Sequence, residues 1–207
     1  RDIHNEMIQG LINTNFTQKS DDNDYILFRS YLDIFNEAIK KSSAGEENDA
    51  LLLNTTLLSQ LNKEKLLFGK LIENKIYVEG SEMIPLGNIY FNRGQSYEAL
   101  GKKTEALNDF IMATTIDPEM QNPLFFHHAG CLMFELGDHT NCIDYYDRAI
   151  NVNEEDSIDS YYMRGVAYLS DKCEKQNIKL GKADLEKYLK HNPNDPAALS
   201  LMNAIKD

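Results

Sequence analysis

A chain of 207 residues, 42% of them apolar, holds enough material for a buried core, either in one or two compact domains or in one extended array. Its 33 acidic and 21 basic residues leave a net charge of −12, which argues against a nucleic-acid partner and an anionic membrane surface, and favours a neutral or basic protein partner. No run of roughly 18 uncharged apolar residues occurs, so no membrane span is expected.

The N-terminal region, 1–83, is irregular. Residues 15–24 read as a polar loop. "DYILFRSYLDIFNEAIKK" (24–41) predicts a helix with Tyr25, Phe28, Leu32, Phe35 and Ile39 on one stripe. "SSAGEEND" reads as a turn with acidic residues placed for the next helix start. The leucine-rich stretch that follows can be laid on a helical repeat at about 48–80, with Leu51, Thr55, Leu58, Leu67 and Leu71 at packing positions.

Further on, three segments align on a glycine: "NRGQSYEALG", "HAGCLMFELG" and "MRGVAYLSDK". Gly94, Gly130 and Gly165 are spaced by 36 and 35 residues, the signature of a helical repeat array. The first unit predicts helices over about 84–100 and 102–116, with Gly101 ending the first helix and Asp117-Pro118 closing the second. Asn122-Pro123 predicts a helix start, and Leu136-Gly137-Asp138 a helix stop followed at once by an N-cap. Asn192-Pro193 ends the third unit, and Asp195-Pro196 begins one more helix to about Lys206. All five prolines then fall at helix boundaries, where their missing N–H does no harm.

This pattern resembles the tetratricopeptide repeat. The matching residues are Tyr90, Arg93, Gly94, Tyr97, Ala106, Phe110 and Pro118, then Phe126, Ala129, Gly130, Met133, Cys142, Tyr146 and Glu154. The third unit begins with Tyr161, Arg164, Gly165 and Tyr168. Its second-helix positions arrive four residues late, at Gly181, Leu185 and Pro193, so an insertion is expected near 170–180. The resemblance implies an all-α, right-handed superhelical array of antiparallel hairpins. Three repeats would cover 84–119, 120–155 and 156–194, with a capping helix over 195–207. It also implies close pairing of Gly94 with Ala106, Gly130 with Cys142, and Gly165 with Gly181.

In this family the first helix of each hairpin lines a concave, partner-binding face. By that resemblance, the contact residues here would be Asn88, Phe91, Asn92 and Gln95. Leu124, His127, His128, Cys131, Phe134 and Glu135 would follow from the second unit, and Asp159, Tyr162, Met163 and Val166 from the third. Phe91, Leu124 and Val166 could equally pack against a neighbouring helix, whereas Asn92, His128 and Tyr162 are expected to be exposed. A subclass of the family clamps acidic C-terminal tails with Lys, Asn and Arg. Only Asn92 matches that set, so this ligand is not expected. The function implied is a scaffold or adaptor that takes an extended or helical peptide. The alternative is a structural or self-assembly module of a larger protein, a homo-oligomer whose function lies in flanking regions.

No chemistry of another kind stands out. His127, Cys131 and Glu135 share a helix face, but one helix supplies only part of a tetrahedral metal shell. Neither a metal nor a cofactor is expected, and no catalytic residue is assigned. His4, His139 and His191 read as solvent-facing, and Cys142 as an inert buried thiol. Cys131, Cys142 and Cys173 make no disulfide framework, and their odd number suits a reducing, cytoplasmic setting. The start at Arg1 reads as a fragment or processed form.

Overall fold

The computed structural model describes residues 23–63, 86–116 and 121–205. Among them are nine α-helices and no strand. These are α1 (Asn23–Ser43), α2 (Glu47–Lys63), α3 (Leu86–Ala99), α4 (Lys103–Thr115), α5 (Pro123–Glu135), α6 (Cys142–Val152), α7 (Ile158–Leu169), α8 (Ile178–His191) and α9 (Pro196–Ala204). None of them is long and apolar enough to cross a membrane. The expectations for residues 15–22, Leu67, Leu71, Pro118 and His4 lie outside the described residues. The chain divides into two compact units, meeting at Lys102 and Lys103.

Local chemistry sets the helix ends. Gly45, Gly101 and Gly137 all have positive φ, a conformation that side chains with a Cβ resist. After each, the next N–H reaches back five residues: Glu46 to Lys41 O, Lys102 to Tyr97 O, and Asp138 to Met133 O, at 2.8–2.9 Å. These are Schellman stops, and they satisfy carbonyls that the helix leaves unpaired. At the starts, Asn122 Oδ1 accepts from Leu124 N and Asp195 Oδ1 from Ala198 N, each followed by proline. Asp138 differs from its expected role. Its carboxylate accepts from Asn141 N at 3.0 Å and holds a turn, and α6 begins only at Cys142.

In the first unit α1 packs on α2, and α3 packs on both. The core comprises Tyr31, Ile34, Phe35, Ala38, Leu53, Leu57, Leu58, Leu61 and Ile89. Each expected stripe is met in part: Phe35 and Leu58 lie in this core and Leu32 packs against it, but the buried face turns away from other expected residues. On α1, Ile39 is exposed while Tyr31, Ile34 and Ala38 are buried. On α2, Thr55 is exposed, and the buried line runs through Ala50, Leu53, Asn54, Leu57, Leu58 and Leu61. In both helices, apolar residues on adjacent faces offered two stripes at spacing three and four. Asn54 tolerates burial because its Nδ2 donates to Ala50 O at 3.1 Å.

The second unit stacks α4 to α9 in sequence, each helix packing on the next from α4 through α9. Phe110, Phe126, Tyr146 and Leu185 are fully buried, as are the small residues Ala106, Ala129, Cys142 and Ala149. Gly165 and Gly181 meet as the repeat implied: a Cβ on either would come within 3.1 Å of the other's carbonyl oxygen. Gly130 faces something else. A Cβ there would lie 2.7 Å from Cε1 of Tyr146, so the bulk it makes room for is the tyrosine ring and not Cys142.

The insertion in the third hairpin is an eight-residue connection, 170–177, between α7 and α8. It is tied to the turn between α5 and α6. Glu174 N donates to Thr140 Oγ1 at 2.9 Å, and Lys175 pairs with Asp144 at 2.7 Å. Cys173 is buried in one cluster with Cys142, Ile143, Tyr146 and Ala167. His139 therefore does not face solvent freely. Its Nδ1 lies 2.7 Å from Ser170 Oγ and its ring stacks on Phe134 at 4.2 Å. At the far end, Ala198 of α9 is buried and Leu199 exposed, while Leu201 and Met202 are half-buried.

Candidate functional site

Helices α5 and α7, the first helices of their hairpins, lie side by side and are joined by one bond: His127 Nδ1 lies 2.9 Å from Ser160 Oγ. This places the residues around His127 and Ser160 on one surface. Leu124, one turn before His127, is 48% exposed. His128 is half-buried, and its ring packs 5.3 Å from Phe110. Asp159 is exposed and lies close enough to His127 to act on its charge. Tyr162 follows one turn later, its ring 5.0 Å from that of Tyr188 on α8. Met163 and Phe134 are half-buried against the Cys142–Tyr146 cluster, and Val166 is half-buried.

Several expected contact residues prove to be occupied. Phe91, at 9% exposed, is a core residue of α3 and not a contact surface, because a phenyl ring loses too much by standing in water. Beside it in the first unit, Asn88, Asn92 and Gln95 are half-buried, and so Asn92 is less open than expected. His128 and Tyr162 are likewise half-buried. Glu135 pairs with Lys103 at 3.0 Å. Cys131 Sγ lies 3.5 Å from His127 Nε2, so both nitrogens of His127 are engaged.

The Cys131–His127–Ser160 chain has the outline of a nucleophile, base and orienter, but lacks the physics. Burial holds His127 down to about 4, against 6.5 ordinarily, so at neutral pH no imidazolium is there to stabilise a thiolate. Cys131 lies in the middle of α5, where the helix uses its backbone N–H groups and leaves none for an oxyanion. Among the described residues no three His, Cys, Asp or Glu side chains are grouped to hold a metal. Burial also pushes the Cys142 thiol up to about 12, so it stays a neutral packing group.

The low value at His127 has a consequence for stability. Between pH 6.5 and about 4 the unfolded chain takes up a proton at this residue that the folded chain refuses. Its contribution is therefore intact above pH 6.5 and is lost as pH falls toward 4, by about 3 kcal/mol in full. Urea unfolding across this window should fall less steeply for His127→Gln, which bonds but does not titrate. Parallel curves for wild type and variant would refute the assignment.

The cations near this face are spoken for. Arg164 Nε and Nη2 bond Asp184 at 2.8 and 2.7 Å, and its Nη1 bonds Asp147 at 2.5 Å. Lys187 pairs with Glu154. Within the first unit, taken by itself, Arg93 lies over the rings of Tyr90 and Tyr97. Sequence reasoning missed Ser160, Asp184 and Tyr188, and it read Asp195 as a helix start without its bond to Tyr188. Their partners lie on other helices, and helical periodicity carries no signal for such pairs.

Residues 87–120 and 125–156 match the family model of the tetratricopeptide repeat. Two segments of the chain are thus similar to this repeat, and the third hairpin, α7–α8, lies beyond the matched ranges. No curated protein matches the chain. Among solved structures, the first TPR of Spaghetti (RPAP3), bound to the HSP90 peptide SRMEEVD, is similar at 22% identity. That match covers 56% of this chain and 87% of that one, with a TM-score of 0.50. A tetratricopeptide repeat protein from Parabacteroides merdae matches at 19% identity over 82% of this chain and 56% of its own, with a TM-score of 0.60. MamA from Desulfovibrio magneticus RS-1 matches at 13% identity over 83% and 81%, with a TM-score of 0.61. At these identities the likeness is one of fold. A protein-interaction scaffold is the class of function such repeats support.

Proposed function

We propose that the chain, carrying tetratricopeptide repeats, is a protein-interaction scaffold whose second unit binds an extended or helical peptide segment on the α5–α7 face. The observation that carries this reading is Leu124, 48% exposed one turn from a polar bond that locks the two helices together. A large apolar side chain held open on a rigid surface is the usual form of a peptide anchor site. Tyr162 adds aromatic area, and His128 adds hydrogen-bonding capacity. Separately, within the first unit, Asn88, Asn92 and Gln95 offer amides of the kind that bond a peptide backbone. A neutral or basic segment suits the chain's net charge of −12.

Capture from a lysate of the source cell tests this. Wild type should retain a protein that Leu124→Asp combined with Tyr162→Ala releases, with circular dichroism showing equal helix content. Equal capture by both forms would remove the binding site from this face. The alternative, self-assembly, predicts a concentration-dependent dimer in sedimentation that the same double variant disrupts.

A further inference from the structure

The α7–α8 side of this face has a chemistry of its own. Tyr162 and Tyr188 form a tilted ring pair, 5.0 Å between centroids and 44° between planes. The Tyr188 hydroxyl points to Asp195 Oδ2 at 3.4 Å, which places that carboxylate at the edge of the pair. Asp159, one helical turn before Tyr162, is exposed and makes no ion pair among the described residues. Neither ring has a cation over it among those residues, although the neighbouring ring of Tyr161 holds both Arg164 and Lys187. Two half-open aromatic faces beside two carboxylates, on a surface whose own cations are committed elsewhere, form an electron-rich patch without an occupant.

We propose that Tyr162, Tyr188 and Asp159, with Asp195 behind them, accept a lysine or arginine side chain from the protein partner. This rests on the reading of the face as a protein-binding surface, and it names the kind of residue the partner brings. The ring quadrupoles attract a cation from the π face, and the unpaired Asp159 carboxylate supplies its counter-charge. The same charge arrangement disfavours a terminal carboxylate, since Asp159 would repel it and Arg164 is already held by Asp147 and Asp184. Burial, Asp195 and Asp159 together push the Tyr188 hydroxyl up, so that ring stays neutral and remains a good π donor through the physiological range.

The test uses small probes, so that no natural partner is needed. The 15N-labelled chain is titrated with N-acetyl-argininamide, N-acetyl-lysinamide and, as the neutral control, N-acetyl-citrullinamide. The cationic probes should shift amides at 158–163 and 186–195, and the citrulline probe should not. Asp159→Asn and Tyr162→Leu should each weaken the cationic probes by about five-fold, and added salt should weaken them further. Shifts of equal size with the neutral probe, no shifts in these segments, or an unchanged affinity in Asp159→Asn would overturn the proposal. Leu124→Asp separates the two readings. If it abolishes partner capture while Asp159→Asn leaves both capture and probe binding intact, the scaffold reading stands and the cation acceptor falls.

Discussion

Arg164→Ala is expected to destabilise the second unit by about 3–5 kcal/mol, with little change in helix content below the transition. The side chain is 18% exposed and bridges three helices, its Nε–Nη2 fork on Asp184 of α8 and its Nη1 on Asp147 of α6. Burial opposes its charge, but the two carboxylates outweigh burial and raise the guanidinium above its ordinary value. Asp184 is 9% exposed as a side chain, so removing the arginine strands a carboxylate with no route to water. Asp147, 40% exposed, can turn to solvent, and Asp147→Asn should therefore cost under about 1 kcal/mol. Arg164→Lys keeps the charge and loses the fork, and should fall between the two. The decisive comparison is Arg164→Met with Asp184→Leu. If the loss comes from the stranded charge, the double variant recovers most of it. Urea unfolding that leaves Arg164→Ala within 1 kcal/mol of wild type would show that the network contributes little. The same engagement explains why this arginine, one step from the proposed binding face, is not free to hold a carboxylate.

What could be read from the sequence was what depends on a few adjacent residues. Gly101 and Gly137 end helices because only glycine takes their positive φ without strain, and Asn122-Pro123 and Asp195-Pro196 start helices through a side-chain cap and a fixed φ. These signals are complete within five or six residues. The pairing of Gly165 with Gly181 was also legible, because the repeat spacing places two residues without side chains opposite each other. Orientation about a helix axis was harder. One residue turns the stripe by about 100°, and α1 and α2 carry apolar side chains on neighbouring faces, so the expected line shares Phe35 with the core but ends on the exposed Ile39, while Tyr31, Ile34 and Ala38 complete the buried face. Phe91, which the sequence left open between the binding face and helix packing, belongs to the core. His139 failed differently: its partner Ser170 is 31 residues away, in an insertion that no repeat pattern describes. The residues of the α5–α7 face could be named from the repeat resemblance, while the bonds among them could not.

Gly130 and Tyr146 should prove strongly coupled. A Cβ on Gly130 would sit 2.7 Å from Cε1 and 3.0 Å from Cδ1 of a ring that is fully buried and has nowhere to turn. Gly130→Ala gains helix propensity, about 1 kcal/mol in an open helix, yet here it should lose about 1–3 kcal/mol through overpacking. Tyr146→Ala should cost about 3–5 kcal/mol by emptying the ring's site. In the double variant the new methyl no longer meets the ring, so the helix-propensity gain returns and the loss should be at least 1 kcal/mol smaller than the sum. Tyr146→Phe isolates the hydroxyl. That group is buried beside the Cys131 sulfur, a weak partner, and has no conventional hydrogen bond. Its removal should leave stability within about 1 kcal/mol of wild type, or raise it, because an unsatisfied buried hydroxyl is itself unfavourable. Strict additivity of the Gly130 and Tyr146 changes in urea unfolding would mean that the glycine is kept for some reason other than the ring. Coupling of the expected size would instead show how this hairpin differs from the third. There, glycine faces glycine and the backbones meet; here, one glycine gives its space to a tyrosine and brings that ring beneath His127, 6.0 Å away, at the base of the proposed binding face.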